Sequence, residues 1–310
     1  MSTPEEISLT PPPKQVGDQD TLRGYAFAFT AYTLWGFLPF YMKEVAHIPA
    51  VEVVAHRVVW SVPLAGFVLL LLGRTGDLRK AFNSPRTLVM ALLTAAIISV
   101  NWGIYVWAIS AGRAVEVALG YYINPLFSIF LAALLLGEKL DRLQKIAIAF
   151  AVLAVGVLAY DAGGVPWVSV GLALSWAFYA FFRKTLPVGP NQGFLLEVLV
   201  LSVPAIGYIA WLMASGQSHF GQTGITDIWL LFGCGIVTAV PLMIYANGAK
   251  MLRLSTIGIM QYIAPTIIFL IAVFAFREPF GAQKLFAFVL IWIALAIYSI
   301  SLIRQHRASH

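Results

Sequence analysis

A charged and a titratable side chain lie next to each other in a run that is otherwise apolar enough for a membrane helix. The run is VVAHRVVWSVPLAG, residues 53–66, and it contains His56 and Arg57. A guanidinium group attracts carboxylates and other anions, and an imidazole exchanges protons near neutral pH. Because ionisable groups inside membrane spans are costly and usually mark substrate or ion pathways, this pair indicates an anion-binding or proton-transfer site.

Two carboxylates are predicted to accompany this pair. Glu52 precedes His56 by one helical turn and lies on the same helix face. Glu197 lies in LLEVLVLSVPAIG. When the SVP of this run is aligned with the SVP of the first run, Glu197 aligns with His56. The alignment predicts that Arg57 and Glu197 share one polar, water-accessible pocket, where His56 or Glu197 exchanges protons. A helix–helix clasp that only fixes packing is the alternative interpretation.

Amide, phenol and indole side chains form a further set inside apolar segments, beginning with SVNWGIYVWAIS and LGYYINP. At membrane depth such groups need hydrogen-bond partners, and a few polar groups on apolar walls are typical of small-molecule sites. For the aromatic members, helix packing and interfacial belts are the alternative. Tyr121 and Tyr245 share this character. The predicted substrate-contacting residues are Asn101, Trp102, Tyr105, Tyr122, Asn124, Asn247, Gln261 and Tyr262.

The surrounding sequence has the composition of a membrane protein. It is 60% hydrophobic and 11% charged, with a mean hydropathy of +0.84, whereas soluble domains carry about 25% charged residues. The net charge is +6, but the cations are spread between apolar runs, which argues against a nucleic-acid-binding face. Residues 1–20 are polar and proline-rich without an apolar core. They predict a disordered cytoplasmic tail and no signal peptide.

The apolar runs predict an all-α membrane protein with ten transmembrane helices. A bilayer core is crossed by about 20 apolar residues, and charged residues and Pro/Gly clusters divide the chain into ten such segments. Lys and Arg concentrate in the loops on the side of the N-terminus, so both termini, including 304–310, are predicted to be cytoplasmic. The segments are 22–43, 49–73, 86–110, 114–137, 143–160, 166–186, 192–214, 227–247, 254–276 and 282–303.

The chain contains an internal repeat with a spacing of about 140 residues. YINPLFSIFLAALLLGE (122–138) aligns with YIAPTIIFLIAVFAFRE (262–278), and Trp35 aligns with Trp176 one position further. The two copies are predicted to be 21–160 and 161–303. Because each contains five spans, they must enter the membrane with opposite polarity. Inverted repeats of this kind are typical of secondary transporters, whose substrate site lies near the midplane where the copies meet.

Prolines recur at matching places in the two copies. Pro63 pairs with Pro204, and Pro125 pairs with Pro265. Each removes a backbone donor and loosens the helix locally, so these four residues are predicted hinges. A static kink that shapes the cavity is the alternative interpretation.

Motifs of soluble enzymes are absent from the sequence. It has no phosphate loop, GxGxxG after a strand, HExxH or CxxC. The five histidines do not cluster at metal-ligand spacing, and the one cysteine, Cys234, cannot form an internal disulfide. The sequence therefore predicts no cofactor, no metal and no catalysis, so that transport energy would come from a gradient. It predicts no particular oligomeric state.

Several blocks resemble the RarD subfamily of the EamA drug/metabolite transporters. They are LWGFLPFYMK, AHRVVWS, NWGIYVWAISAGRAVEVALGYYINPL, LLLGE and TAVPLMIYANGAKMLRLSTIGIMQYIAPT, between about residues 24 and 302. The resemblance implies ten helices as two EamA repeats around a central cavity in a bacterial inner membrane. It also implies export of small metabolites or drugs, including amino-acid-like compounds.

The sequence therefore predicts a secondary active transporter that works by alternating access and exports small molecules through the lipid bilayer, with proton coupling as one option. Arg57 is the predicted anchor for an anionic group. A facilitator or importer of the same fold is the nearest alternative. A membrane receptor or scaffold is the alternative from another class, and the repeat argues against it because a sensor does not need two interconvertible halves.

Overall fold

The structure is a computed structural model, and all of its described regular structure is helical. The predicted tail, apart from Asp20, lies outside the described residues. So do the last two residues of the chain. The described residues are 20–71, 73, 78, 82, 84–136, 140–161, 163–184, 187–252 and 254–308.

Helices form where long apolar runs let every backbone hydrogen bond be made within one segment, as a membrane requires. They are α1 (Leu22–Glu44), α2 (Ala50–Leu71), α3 (Pro85–Ser110), α4 (Ala114–Leu136), α5 (Arg142–Asp161), α6 (Trp167–Lys184), α7 (Pro190–Ala214), α8 (Ile225–Gly248), α9 (Leu254–Met260), α10 (Ile263–Leu270) and α11 (Ala282–Ala308).

Eight of the described helical segments are long and apolar enough to cross a membrane. They are α2 to α5, α7, α8, α11 and the segment Thr256–Ala275, which contains α10 and most of α9. Helix also forms in the other two predicted segments, as α1 and α6, which are not in that set. The chain is therefore an all-helical membrane protein, and ten crossings stay a prediction.

One predicted span is interrupted, and the interruption contributes to the cavity described below. Gln261 and Tyr262 form a turn between α9 and α10, and a π-helical turn, Ile271–Ala275, follows α10. Pro265 lies in the first turn of α10, where a missing backbone donor costs little. Its predicted counterpart Pro125 lies inside the continuous helix α4.

The other two predicted hinge prolines also lie inside continuous helices, Pro63 in α2 and Pro204 in α7. A hinge role for the prolines stays a prediction.

The helix contacts fall into matching sets. Helix α2 contacts α7, and α5 contacts α11. The contact of α4 with α6 corresponds to that of α10 with α1. The contact of α1 with α8 corresponds to that of α6 with α3, and the contact of α2 with α8 corresponds to that of α7 with α3. Two of these crossings are close because of glycine: a methyl group at Gly36 would come within 2.7 Å of Ile267 in α10, and one at Gly120 within 2.9 Å of the Ser169 carbonyl in α6. Small residues allow such approach where lipid gives no hydrophobic drive between helices.

Candidate functional site: a cavity between the helices

A cavity of about 180 Å³ lies between the helices. Its walls come from α1, α2, α3, α4, α6, α7, α8 and the α9–α10 turn with α10, so both halves of the chain contribute. The cavity is mostly apolar and aromatic, with a small number of polar groups, which is the composition expected of a small-molecule site. The lining residues are Tyr32, Trp35, Leu38, Arg57, Ile98, Asn101, Trp102, Tyr105, Tyr121, Asn124, Trp176, Tyr179, Phe194, Thr238, Leu242, Tyr245, Gln261 and Ile268.

Aromatic rings in mutual contact form two sides of the cavity. On one side the Trp35 ring lies 5.4 Å from the Tyr245 ring and 5.7 Å from the Tyr32 ring, centroid to centroid. On the other side the Trp176 ring lies 5.8 Å from the Tyr179 ring and 6.5 Å from the Tyr121 ring. Rings that support each other in this way form rigid walls, because each has few rotamers and loses little entropy on binding.

Arg57 supplies the positive charge of the cavity. Its side chain is only 3% exposed, and its Nε donates a hydrogen bond to Thr238 Oγ1 at 2.9 Å. The guanidinium carbon lies 5.0 Å from the centroid of the Trp102 ring, in cation–π contact. Its Nη1 has no hydrogen-bond partner, and among the described residues no carboxylate lies within ion-pair distance of Arg57. A buried cation in this state is suited to receive an anion.

A close crossing of α2 and α8 holds Arg57 in this position. A methyl group at Gly235 would lie 2.4 Å from the backbone of Trp60, so only glycine permits the observed approach. The approach brings Thr238 within reach of Arg57, and Thr238 donates its own hydroxyl proton to the Cys234 carbonyl at 2.7 Å. The hydroxyl oxygen of Thr238 is therefore free to accept a hydrogen bond from Nε of Arg57. Helix α8 makes no hydrogen bond to Nη1 of the same guanidinium.

Within the described part of the chain, three further cavity residues have buried polar atoms without a partner: Asn101 Oδ1, Asn124 Oδ1 and the Tyr105 hydroxyl. Asn101 is oriented by its amide nitrogen, which donates to Ser175 Oγ at 2.9 Å and to the Leu172 carbonyl at 3.2 Å. Buried polar groups are nearly always paired in folded proteins. Groups left unpaired on a cavity wall are therefore suited to bind water or a ligand.

The cavity contains six of the predicted site residues. They are Arg57, Asn101, Trp102, Tyr105, Asn124 and Gln261. Six others are not among the residues that line it: Glu52, His56, Tyr122, Glu197, Asn247 and Tyr262.

Glu197 is the largest difference from the sequence-based expectation. It is 1% exposed, and its ion-pair partner is Arg183 of the same half of the chain, not Arg57. Its Oε1 lies 3.5 Å from Arg183 Nε, and its Oε2 accepts from the Tyr179 hydroxyl at 3.1 Å. Arg183, at the end of the preceding helix, provides a nearer cation than Arg57. Tyr179 also lines the cavity, so one side chain connects the cavity wall with this carboxylate.

Glu52 and His56 are bound by the loop between α7 and α8. Glu52 accepts from the backbone N–H of His219 at 2.7 Å, and the His56 ring stacks on the Phe220 ring at 5.0 Å. His56 Nδ1 also accepts from Trp60 Nε1 at 3.1 Å. The loop therefore covers the face of α2 on which both side chains lie.

The remaining predicted residues make hydrogen bonds or ring contacts within the helix bundle. The Tyr122 hydroxyl shares a hydrogen bond with Thr266 Oγ1 at 2.6 Å, and the Tyr122 ring stacks on the Tyr262 ring at 6.4 Å. Asn247 donates to the Met243 carbonyl, one turn earlier in α8, at 2.8 Å. These contacts are those of helix packing, which was the alternative interpretation for the aromatic pair.

Several lining residues were not predicted from the sequence as site residues, including Tyr32, Trp35, Trp176, Tyr179, Phe194 and Thr238. The repeat itself carried a usable signal for most of them, because positions that align in the repeat line the cavity in pairs. The pairs are Ile98 with Thr238, Trp102 with Leu242, Tyr105 with Tyr245, Tyr121 with Gln261, Trp35 with Trp176 and Leu38 with Tyr179.

Comparison with known proteins agrees with this architecture. The EamA-like transporter family matches residues 22–160. A crystal structure of another protein superposes with a TM-score of 0.57 at 20% sequence identity, covering 89% of this chain and 96% of that one. This likeness shows a shared fold.

Two curated bacterial relatives match nearly the whole chain. Protein RarD of Streptomyces exfoliatus is 41% identical, covering 92% of this chain and 91% of its own length. An uncharacterized transporter of Vibrio cholerae is 37% identical, covering 94% of this chain and 96% of its own length. The chain is thus a multi-pass inner-membrane transporter, and it belongs to the RarD subfamily of the EamA family.

Proposed function

We propose that this transporter is a secondary active permease that exports small metabolites or drugs bearing an anionic group, and that the anion binds Arg57 in the central cavity. The observation that carries the proposal is the state of Arg57: the guanidinium is buried in the cavity wall and oriented by Thr238 and Trp102, and Nη1 is unpartnered. Such a cation is costly to maintain in a membrane, and an anionic ligand offsets that cost.

The other unpartnered atoms extend this site beyond the anion. The Tyr105 hydroxyl can donate to the same anionic group as Arg57, and the Oδ1 atoms of Asn101 and Asn124 can accept from a donor elsewhere on the ligand. An amino-acid-like molecule, with a carboxylate and an ammonium group, offers this combination. The aromatic walls would contact its apolar part.

Alternating access between two inverted halves is the proposed mechanism. Two observations support it. The helix contacts form matching sets when the first five predicted spans are exchanged for the last five, and most of the residues lining the cavity are pairs that align in the repeat. A cavity built from equivalent positions of both halves can be opened to either side when the halves exchange conformations. The proposed halves are 21–160 and 161–303, with cytoplasmic termini.

Proton coupling through Glu197 is proposed as the energy source. Tyr179 supports it, because its ring lines the cavity while its hydroxyl binds the Glu197 carboxylate. Facilitated transport without protons is the second candidate. It is favoured by the separation of Glu197 from the cavity and by its bond to Arg183, which neutralises the carboxylate within the same half.

Transport by protein reconstituted in liposomes tests these proposals. A panel of metabolites is offered as counterflow substrates and again under an imposed pH gradient. We expect counterflow of at least one carboxylate-bearing compound. Thermal stabilisation by a compound without any flux would contradict the transporter mechanism and favour a receptor.

The variant Glu197→Gln separates the two energetic candidates. Under proton coupling it retains counterflow but loses accumulation driven by the pH gradient, because exchange of bound substrate needs no net proton movement. Retained accumulation in this variant would exclude Glu197 as the coupling group. Glu44→Gln, an exposed carboxylate in the same protein, is the control.

A further inference from the structure

Two histidines and two carboxylates form a cluster at the end of the bundle where α2 and α8 begin. Glu52 lies in the first turn of α2 and Asp227 in the first turn of α8. His47 precedes α2, and His219 lies in the loop that precedes α8. None of the four is among the residues that line the cavity.

The contacts within this cluster cross between the two halves of the chain. Glu52 Oε2 lies 2.8 Å from His219 Nδ1, and Glu52 Oε1 accepts from the His219 backbone N–H at 2.7 Å and from Ser218 Oγ at 3.3 Å. In the reciprocal pair, Asp227 Oδ1 lies 2.9 Å from His47 Nε2. Each half therefore supplies one histidine and one carboxylate, and each binds its partner from the other half.

Burial makes these contacts depend on one another. Glu52 is 0% exposed, and a carboxylate is tolerated there because it accepts several hydrogen bonds and lies at a helix N-terminus. When the loop with Ser218 and His219 moves away, Glu52 loses these donors and must be hydrated. Glu52 is therefore either buried under the loop or hydrated, whereas the His47 side chain is already 51% exposed in the closed cluster.

The cluster is connected to the cavity along both helices. Phe220, in the same loop, stacks on His56, which directly precedes the cavity residue Arg57. Along α8, one face leads from Asp227 through the fully buried Leu231 and Cys234 to the cavity residue Thr238. A path from this end of the bundle to the cavity would pass along that face.

We propose that His47, Glu52, His219 and Asp227 form a latch that closes one end of the cavity and opens once in each transport cycle. This inference rests on the proposed alternating access. By the predicted orientation the latch faces the outside of the cell.

The chemistry of the latch makes it close more tightly in acid. A neutral histidine gives each carboxylate a hydrogen bond, and a protonated one gives it an ion pair as well. The charged groups that face the histidines are Glu52 from α2 and Asp227 from α8, and the two rings lie 6.2 Å apart. Lys43 and Glu44, at the end of α1 shortly before His47, are exposed.

Labelling of Cys234 by a membrane-impermeant maleimide in proteoliposomes tests the latch. Cys234 is the one cysteine of the chain, and it is 0% exposed between the cluster and the cavity. In the double variant Glu52→Gln, Asp227→Asn, we expect labelling to accelerate about tenfold or more, the effect of losing a hydrogen bond to a charged group on a closed–open equilibrium. The control, Glu44→Gln, should label at the wild-type rate. A double variant that labels at the wild-type rate overturns the proposal.

The unmodified protein supplies a second test in case the double variant does not fold. Its labelling rate is measured with external buffer at about pH 6 and about pH 8, a range in which histidine changes charge, and is divided by that of a free thiol. A slower normalised rate at the lower pH is expected, and an equal or faster one overturns the latch.

Counterflow on the same liposomes distinguishes failure of the latch from failure of the proposed function. If counterflow is active and the double variant labels at the wild-type rate, the latch alone is rejected. If the double variant labels faster but the protein shows no counterflow, the transport mechanism on which the latch depends is rejected.

Discussion

The two halves of the chain contribute equivalent positions to the cavity but different chemistry. Tyr105 and Tyr245 align in the repeat, and both line the cavity. Arg57 lines it too, but the aligned residue of the second half is Val198, which is not among the lining residues. The shared residues build the walls, and the residues at which the halves differ give the cavity its charge.

The asparagines show the same asymmetry, although the second half contributes an amide of its own, Gln261, which aligns with Tyr121. Asn101 and Asn124 belong to the first half, and their aligned residues are Pro241 and Ala264. In return the second half supplies Thr238, which orients Arg57. The cavity therefore has similar aromatic rings on two sides, but its cation and its two asparagines come from the first half alone.

The largest effect is expected from removing the positive charge of Arg57, which has no counterpart at the aligned position of the second half. Arg57→Gln should lower kcat/KM for an anionic substrate by about 100-fold or more, because losing one partner of a buried charged contact costs 2–5 kcal/mol. Initial counterflow rates over a range of substrate concentrations measure the change.

Thermal unfolding of the same variant separates a binding role from a packing role. Removing a buried cation without an anionic partner should leave the melting temperature unchanged or raise it, since the desolvation cost disappears. Arg57→Lys, which keeps the charge but not the two-pronged geometry, should fall between wild type and Arg57→Gln. Lower stability with normal transport would make Arg57 a clasp between helices.

A second difference concerns the helix crossing that positions Arg57. Gly235 aligns with Ala95, so the first half has room for a methyl group where the second does not. Gly235→Ala should destabilise the protein by about 1–3 kcal/mol through overpacking against the backbone of Trp60, and should weaken substrate binding by displacing Thr238. The reverse change, Ala95→Gly, should cost about 1 kcal/mol through helix propensity and leave binding intact. Thermal unfolding and counterflow of both variants measure this, and equal effects would contradict it.

A smaller effect is expected from removing the side-chain amide of Asn124. Asn124→Ala should weaken binding of a substrate with a hydrogen-bond donor about tenfold, the upper end for a single neutral hydrogen bond. An analogue without that donor should bind wild type and variant equally. Competition of each compound against counterflow measures both affinities, and a loss shared by both compounds would assign Asn124 a role in packing.

The smallest effect tests the two aligned tyrosines. Tyr105→Phe should weaken substrate binding about fivefold, within the range of one hydrogen bond, because its hydroxyl is buried and has no partner among the described residues. Tyr245→Phe should change binding less than about twofold, since the ring, which packs on Tyr32 and Trp35, remains. Equal effects on counterflow affinity would show that the two halves contribute equivalent hydroxyls.

The helices were predictable from the sequence because apolar length alone decides where a membrane chain is helical. The polar residues that line the cavity could also be predicted from the sequence, since an amide or a guanidinium is costly within an apolar membrane segment and therefore indicates a specific role. Arg57, Asn101 and Asn124 were found in this way. The family, too, was correctly indicated by sequence blocks such as AHRVVWS and LGYYINP.

The partners of the charged residues were not predictable, because they depend on which helices approach each other. The alignment paired Glu197 with His56 but did not give the direction of its side chain, and Arg183 from the adjacent helix lies within ion-pair distance of it. The same holds for Glu52, whose partners come from a loop more than 160 residues further along the chain. Tyr121 and Tyr245 were noted in the sequence, but the other wall residues, Tyr32, Trp35, Trp176 and Tyr179, were overlooked because Tyr and Trp have many structural uses in membranes.

A matched pair of ligands tests the anion site most directly. A transported carboxylic acid and its methyl ester have nearly the same shape but differ in charge, and competition against counterflow gives their affinities for wild type and Arg57→Gln. The wild-type protein should prefer the acid by about 100-fold or more, the discrimination expected of a buried charged contact, and the variant should lose most of that preference. A wild-type protein that binds acid and ester equally would contradict an anion site at Arg57.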